Sequence, residues 1–168
     1  MVDPYASHTT VLAAVARETP VRRVIEFGGG HHSTRLFLNR QVFPDLVELT
    51  TVETSPEWAA RIRSGDKRHS LLTVGRAALT AGLCPQYDLV LVDDSDSMTA
   101  RIETLRAVSG CRPSGLVVVH DFEHLEYREA ITFDHVAESR RYTPWTAVAW
   151  NEGSRHGSER LHRIVATA

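Results

Sequence analysis

Apolar and polar positions fall into blocks whose period switches repeatedly between helix and strand. Val11, Leu12 and Val15 recur at helical spacing within residues 5–18, and Pro20 closes that run. Residues 21–27 read as a buried strand that ends in Val24-Ile25-Glu26-Phe27 and runs into Gly28-Gly29-Gly30. A helix over 33–41 turns Leu36 and Phe37 inward, and a second strand over 46–52 closes on Glu53. Ser55-Pro56-Glu57 supplies an N-cap hydroxyl, a proline in the first turn and an acid. The helix it starts places Trp58 and Ile62 inward and stops near Ser64-Gly65. Residues 70–74 form a short third strand. Residues 87–92 form a fourth, whose unbroken Leu89-Val90-Leu91-Val92 core suits a parallel strand covered on both faces. Met98, Ile102, Leu105 and Val108 mark a helix over 98–108, and residues 116–119 a fifth strand ending in His120-Asp121. The pattern then predicts a helix over 123–138 and two final strands, 143–150 and 161–167, joined as a hairpin by the polar residues 151–160.

Five strands alternating with helices, then a closing pair, predict an α/β protein. Its sheet is Rossmann-like, doubly wound, seven-stranded and mostly parallel, with an antiparallel C-terminal strand pair. Ligands of such sheets bind beyond the carboxyl ends of the strands, where strand order reverses. The polar residues there are Glu26, Glu53, Gly75-Arg76, Asp93-Asp94 and His120-Asp121. Three consecutive glycines admit a ligand close to backbone. Ser33 and Thr34 can cap the following helix, a device that attracts anions. Glu26 argues against a pyrophosphate at this turn, because its charge repels phosphate and attracts a ligand ammonium.

Composition narrows the classes further. The chain has 168 residues, the size of one domain. Its formal net charge of −2 gives no case for non-specific nucleic-acid binding. Cys84 and Cys111 form no C-x-x-C pair and read as reduced thiols. No apolar run approaches the length of a membrane span, and a cytoplasmic protein is the expectation. Trp58, Trp145 and Trp150 are expected in the core.

Read together, these segments resemble the class I S-adenosylmethionine-dependent methyltransferases, and among them the small-molecule O-methyltransferases. Glu26-x-Gly28-x-Gly30 is similar to the first family motif, and Glu53 to the acid after the second strand that holds the ribose hydroxyls. Tyr87-Asp88-Leu89-Val90-Leu91-Val92-Asp93 is similar to the fourth-strand motif, and residues 113–121 to the turn and fifth strand. The resemblance covers most of the chain. It implies a single methyltransferase-like domain over 1–168, with residues 1–20 as an N-terminal helix over the cofactor cleft and 21–168 as the α/β core. Tyr5 and His8 belong to that covering segment.

S-adenosyl-L-methionine is the implied cofactor. Its implied binding residues are Glu26, Gly28, Gly29, Gly30, Glu53, Thr54, Gly75, Arg76 and Asp93; Gly75 to Ala77 lack the acid that many relatives turn to adenine. Asp93, His120 and Asp121 are the implied catalytic group, with Asp93 as a positioning acid and His120 or Asp121 as general base. Some relatives hold magnesium with an acid after the fourth strand and an acid–amide pair after the fifth. Asp93 and Asp121 match those acids, while Phe122 stands in place of the amide. A divalent metal is therefore left open, with Asp93 and Asp121 as its ligands and His120, Asp94, Asp96 or His124 to complete the shell. Magnesium prefers oxygen, and a softer ion accepts imidazole.

The implied activity is methyl transfer to a small-molecule acceptor, with oxygen favoured and a homodimer left open to shape the substrate site. The motifs of DNA base methylation are missing, so no nucleic-acid partner is expected. Two alternatives stand beside this reading. One is a catalytically silent S-adenosylmethionine-binding subunit or regulator. The other is a nicotinamide-dependent oxidoreductase, which Glu26 and Ser33 disfavour.

Overall fold

The computed structural model describes residues 4–74, 86–94 and 97–168. Gly75, Arg76, Ala77, Cys84 and Asp96, all named above, lie outside the described residues. The chain forms a seven-stranded sheet in the order β3-β2-β1-β4-β5-β7-β6. Its strands are β1 (Arg23–Phe27), β2 (Glu48–Glu53), β3 (His69–Thr73), β4 (Leu89–Val92), β5 (Leu116–His120), β6 (His135–Ser139) and β7 (Thr146–Trp150). β1 to β5 pair in parallel, while β7 runs antiparallel to both β5 and β6. This is the Rossmann-like, doubly wound arrangement expected from the alternation of periods. Strand order reverses between β1 and β4.

The helices are α1 (His8–Glu18), α2 (Ser33–Leu38), α3 (Pro56–Ile62), α4 (Met98–Gly110), α5 (Leu125–Ala130) and α6 (Glu159–Thr167). Among the described residues none is long and apolar enough to cross a membrane. Strand alternation divides the core into two layers. Val24, Leu49, Leu89, Leu91, Leu116 and Val118 pack with Val11, Leu12 and Val15 of α1, Phe37 of α2, and Leu161 and Val165 of α6. Ile25, Val52, Val90, Val92, Val117 and Val119 pack on the other face with Leu105 and Val108 of α4 and Tyr127 of α5.

The C-terminal third departs from the sequence expectation in two places. Residues 161–167 are not a strand but most of α6. Ser158 caps its start by accepting from the Leu161 N–H, and the buried pair Leu161 and Val165 has helical i, i+4 spacing. The predicted helix over 123–138 stops at Ala130, and His135–Ser139 becomes the edge strand β6, with Ala137 and Ser139 buried in alternation. The closing hairpin is therefore β6–β7. Leu161 and Val165 then cover the sheet from above instead of extending it. Of the three tryptophans, Trp150 is core, Trp145 is half-buried and Trp58 is exposed.

Candidate active site

The edge above the carboxyl ends of β1, β2, β4 and β5 gathers two polar clusters. The turn after β1 joins them. Gly28 has φ +82°, and a Cβ there would fall on the Asp93 carbonyl and the Asp94 Cα. A Cβ at Gly29 would strike Ile62 and Thr51, whereas at Gly30 it would meet nothing closer than Ser33 Oγ at 3.6 Å. Gly28 and Gly29 are thus required by the protein's own backbone and packing, and Gly30 stands at the open side of the turn.

The first cluster surrounds Glu26. In β1, Val24 and Glu26 share the α1 face, so the Glu26 side chain rises between β2 and α2 and is fully buried. Oε1 accepts from Thr34 Oγ1 and from Thr51 Oγ1, each at 2.5 Å. Among the described residues Oε2 has no hydrogen-bond partner. Burial raises the Glu26 pKa to about 7, and the hydroxyls of Thr34, Thr51 and Ser33 oppose that rise without cancelling it. Thr34 therefore does not cap α2: its hydroxyl accepts from the Gly30 N–H and donates to Glu26. Thr51 Oγ1 also meets His69 Nε2 at 2.9 Å, and His69 Nδ1 meets Ser64 Oγ at 2.9 Å.

Glu53 ends the neighbouring strand on the same edge. Its Oε1 accepts from the backbone N–H groups of Thr54 (2.8 Å) and Ser55 (2.9 Å), which fixes the carboxylate over the start of α3. The Gly28 N–H donates to Val52 O, so Glu26, the glycine turn and Glu53 are held in register. Ser55 caps α3 as expected, accepting from the Trp58 N–H. Trp58 corrects the inward expectation. It folds back over the turn, its Nε1–H donating to Gly29 O at 2.5 Å, with the Arg61 guanidinium 5.5 Å from its ring centre. The indole N–H has a partner there that the core could not offer.

The second cluster forms where β4 and β5 end. Leu89, Leu91 and Asp93 share one face of β4, and Leu116, Val118 and His120 share the same face of β5, which places Asp93 and His120 under α1. Asp94 turns the other way and accepts from Thr104 Oγ1 of α4 at 2.6 Å. Arg101 of α4 is buried among these acids. Its guanidinium bonds to Asp121, lies 3.1 Å from Asp93 Oδ1 and 3.9 Å from Asp94 Oδ1, and covers the Tyr127 ring at 5.7 Å. Asp121 adopts the left-handed region at φ +57°. The guanidinium thus stands between Asp93 and Asp121, where the sequence reading left room for a metal, and the two acids grip a protein cation instead.

His120 lies 3.3 Å from Asp93 and 3.6 Å from Asp121 through Nδ1, and its Nε2 meets Ser7 Oγ at 2.8 Å. Burial pulls its pKa down, but the Asp93 hydrogen bond and the charges of Asp93 and Asp121 outweigh burial and raise it overall. Burial likewise works against ionised Asp93, and His120 and Arg101 reverse that and hold its pKa low. His8, from the first turn of α1, sits edge-on to His120 with ring centres 4.7 Å apart. Burial, then repulsion by His120, lowers its pKa to about 4, so it is neutral. Ser7 and Arg101 were not singled out from the sequence, and His8 was named only as part of the segment over the cofactor cleft. Arg101 carried the one readable signal: a charge four residues before Leu105 and seven before Val108, inside the buried stripe of α4.

The sequence matches no protein-family model and no curated protein sequence. Solved structures match the fold. Spermidine synthase from Thermotoga maritima superposes with a TM-score of 0.67 at 12% identity, over 96% of this chain and 70% of that one. A spermidine synthase in complex with the transition state analogue AdoDATO gives 0.67 at 12%, over 99% and 73%. Human methyltransferase-like protein 13 in complex with SAH gives 0.64 at 15%, over 99% and 92%. Likeness at this level of identity establishes the class I methyltransferase fold.

Proposed function

From a chain with the class I methyltransferase fold, we propose S-adenosyl-L-methionine-dependent methyl transfer to a small-molecule acceptor, with oxygen as the receiving atom. One observation carries the reading. Glu26 presents a buried carboxylate oxygen without a partner among the described residues at the strand crossover, one strand away from a second carboxylate, Glu53, fixed by backbone N–H groups. A buried carboxylate oxygen left unpaired is costly, and a cationic ligand group that pairs with it removes the cost. That S-adenosylhomocysteine occupies methyltransferase-like protein 13 on the same fold supports the same ligand class here.

The cofactor, when bound, supplies a methyl group on sulfonium. The residues fit it as follows. Glu26 pairs with its ammonium, Gly30 leaves backbone space, and the second oxygen of Glu53 accepts from the ribose hydroxyls. Thr54 N–H holds Glu53 in place. Gly75 and Arg76 are proposed to line the adenine end. Asp93 lies at the meeting of the two clusters: its backbone crowds Gly28, and its side chain is fixed by His120 and Arg101. It positions the acceptor. His120 spends one nitrogen on Ser7 and the other on the two acids, so it steadies the group. Asp121 is half-buried and takes the acceptor's proton.

Titration calorimetry with S-adenosylhomocysteine and, separately, NAD tests the proposal. Binding of the first and not the second is expected, with Glu53→Ala losing tenfold to a hundredfold in affinity, as about 1.5–3 kcal/mol of charge-assisted bonding implies. NAD binding without any response to S-adenosylhomocysteine would end the reading. Binding with no turnover on phenolic, carboxylic or amine acceptors would mark a silent subunit.

A further inference from the structure

His8 is the buried titratable group to which methyl transfer gives no task. Among the described residues neither of its ring nitrogens has a hydrogen-bond partner, although the side chain is almost wholly enclosed. Its neighbour explains why that matters. The Ser7 hydroxyl donates to Pro144 O at 3.0 Å, so Ser7 Oγ must accept from the Nε2–H of His120. Nδ1 of His120 then faces carboxylate oxygens of Asp93 and Asp121. A bare lone pair directed at two carboxylates is repulsive, and a cation has to stand between them: a proton or a metal ion. His8 brings a second, neutral imidazole to the same point. One donor atom each from His8, Asp93 and His120 lie within 4.8 Å of one another.

We propose that His8, Asp93 and His120 form a site for a zinc-class divalent transition ion. The donor set is two imidazoles and one carboxylate, which suits zinc, cobalt or ferrous iron and not magnesium. The spacing fits. His120 Nδ1 and Asp93 Oδ1 are 3.3 Å apart, and bonds of about 2.0 Å give a tetrahedral edge of about 3.3 Å. No hydrogen bond to a described residue has to break for His8 to close the remaining distance. The outer shell is present already: Ser7 orients His120 through its other nitrogen, and Arg101 donates to Asp93 from the α4 side. Three protein donors leave a position for an acceptor oxygen, a role that rests on the methyl-transfer reading, whereas the site itself does not.

The test uses the full chain, stripped with chelator and without nucleoside. Cobalt(II) is titrated in while visible ligand-field absorption is followed, and stoichiometry is measured by equilibrium dialysis. One cobalt per chain is expected, displaced by zinc and untouched by excess magnesium. Ser7→Ala should weaken binding by about tenfold, the usual loss for an outer-shell partner, and His8→Gln and Asp93→Asn by more. His8→Gln keeps volume in the core, and Asp93→Asn gives a second ligand variant if the first does not fold. Absence of cobalt binding by the unaltered chain, or binding that persists in both ligand variants, overturns the proposal. S-adenosylhomocysteine titrated in parallel separates the two conclusions: binding of the nucleoside without cobalt removes the metal site alone.

Discussion

On the β1–β2 side of the crossover, Glu26 is met by the hydroxyls of Thr34 and Thr51 and, among the described residues, by no cation. On the β4–β5 side, Asp93, Asp94 and Asp121 close around the Arg101 guanidinium. Both regions bury carboxylates at the same sheet edge, yet their charge states differ. Hydroxyls alone leave Glu26 with a pKa near 7, whereas Arg101 and His120 hold Asp93 below the ordinary carboxylate range. A region that carries its own counter-charge has its carboxylates ionised and finished at the end of folding, whether or not a metal ion joins them later. A region that lacks one is finished by a ligand, and the sign of the missing charge names the ligand's group.

The largest effect should come from breaking the finished side. Arg101→Met keeps bulk but removes the guanidinium that Asp93, Asp94 and Asp121 share, and about 3–5 kcal/mol of stability should be lost in denaturant unfolding at pH 7. A loss under about 1 kcal/mol would mean that the acids do not depend on Arg101. Glu26→Gln should act in the opposite direction on stability. Because the folded pKa of Glu26 is raised from 4.5 to about 7, the folded state holds the proton more tightly. Its contribution is full below pH 4.5 and is lost as pH rises to 7, a fall of about 3 kcal/mol. The Gln variant should lack that fall and be the more stable protein at pH 8. Its affinity for S-adenosylhomocysteine should nevertheless drop by about tenfold to a hundredfold. A variant equally stable and equally tight would remove Glu26 from the cation-binding role.

The contrast also marks what could be read in the chain beforehand. Runs such as Leu89–Val92 and Leu116–Val119 set the central strands, because a strand buried on both faces has no polar alternative. Glu26, Gly28 and Glu53 were legible because strand ends and turns tie them to neighbouring backbone. Residues 161–167 were misread because Leu161 and Val165, four apart, satisfy both periods over so short a window, while Ile164 fits only the helical one and the Ser158 cap decides for helix. The finished cluster was half legible. Asp93, His120 and Asp121 lie at strand ends, but Ser7 and His8 arrive from the start of α1 and Arg101 from α4, and which side of a helix meets the sheet edge is decided by packing. Trp58 was missed for a related reason: its indole N–H found the Gly29 carbonyl, a partner that exists only once the turn is folded.

The smallest effect gives the finest test of the comparison. The Thr51 hydroxyl donates to Glu26 Oε1 and accepts from the His69 side, and its hydrogen bond lowers the Glu26 pKa. Thr51→Val should cost about 1 kcal/mol and push that pKa above 7. At pH 7 more of the carboxyl is then neutral, so S-adenosylhomocysteine binds a few-fold more weakly, and the loss shrinks as pH rises and the carboxylate forms. Thr104→Val is the matching change on the other side, removing the hydroxyl that donates to Asp94 at 2.6 Å. Arg101 still faces Asp94 there, so stability should fall by a similar amount while the pH profile of nucleoside binding stays in place. Calorimetric affinities across pH 6 to 8.5 for the two variants decide the matter, because equal displacement of both profiles would mean that the clusters respond alike and that a counter-charge already present makes no difference.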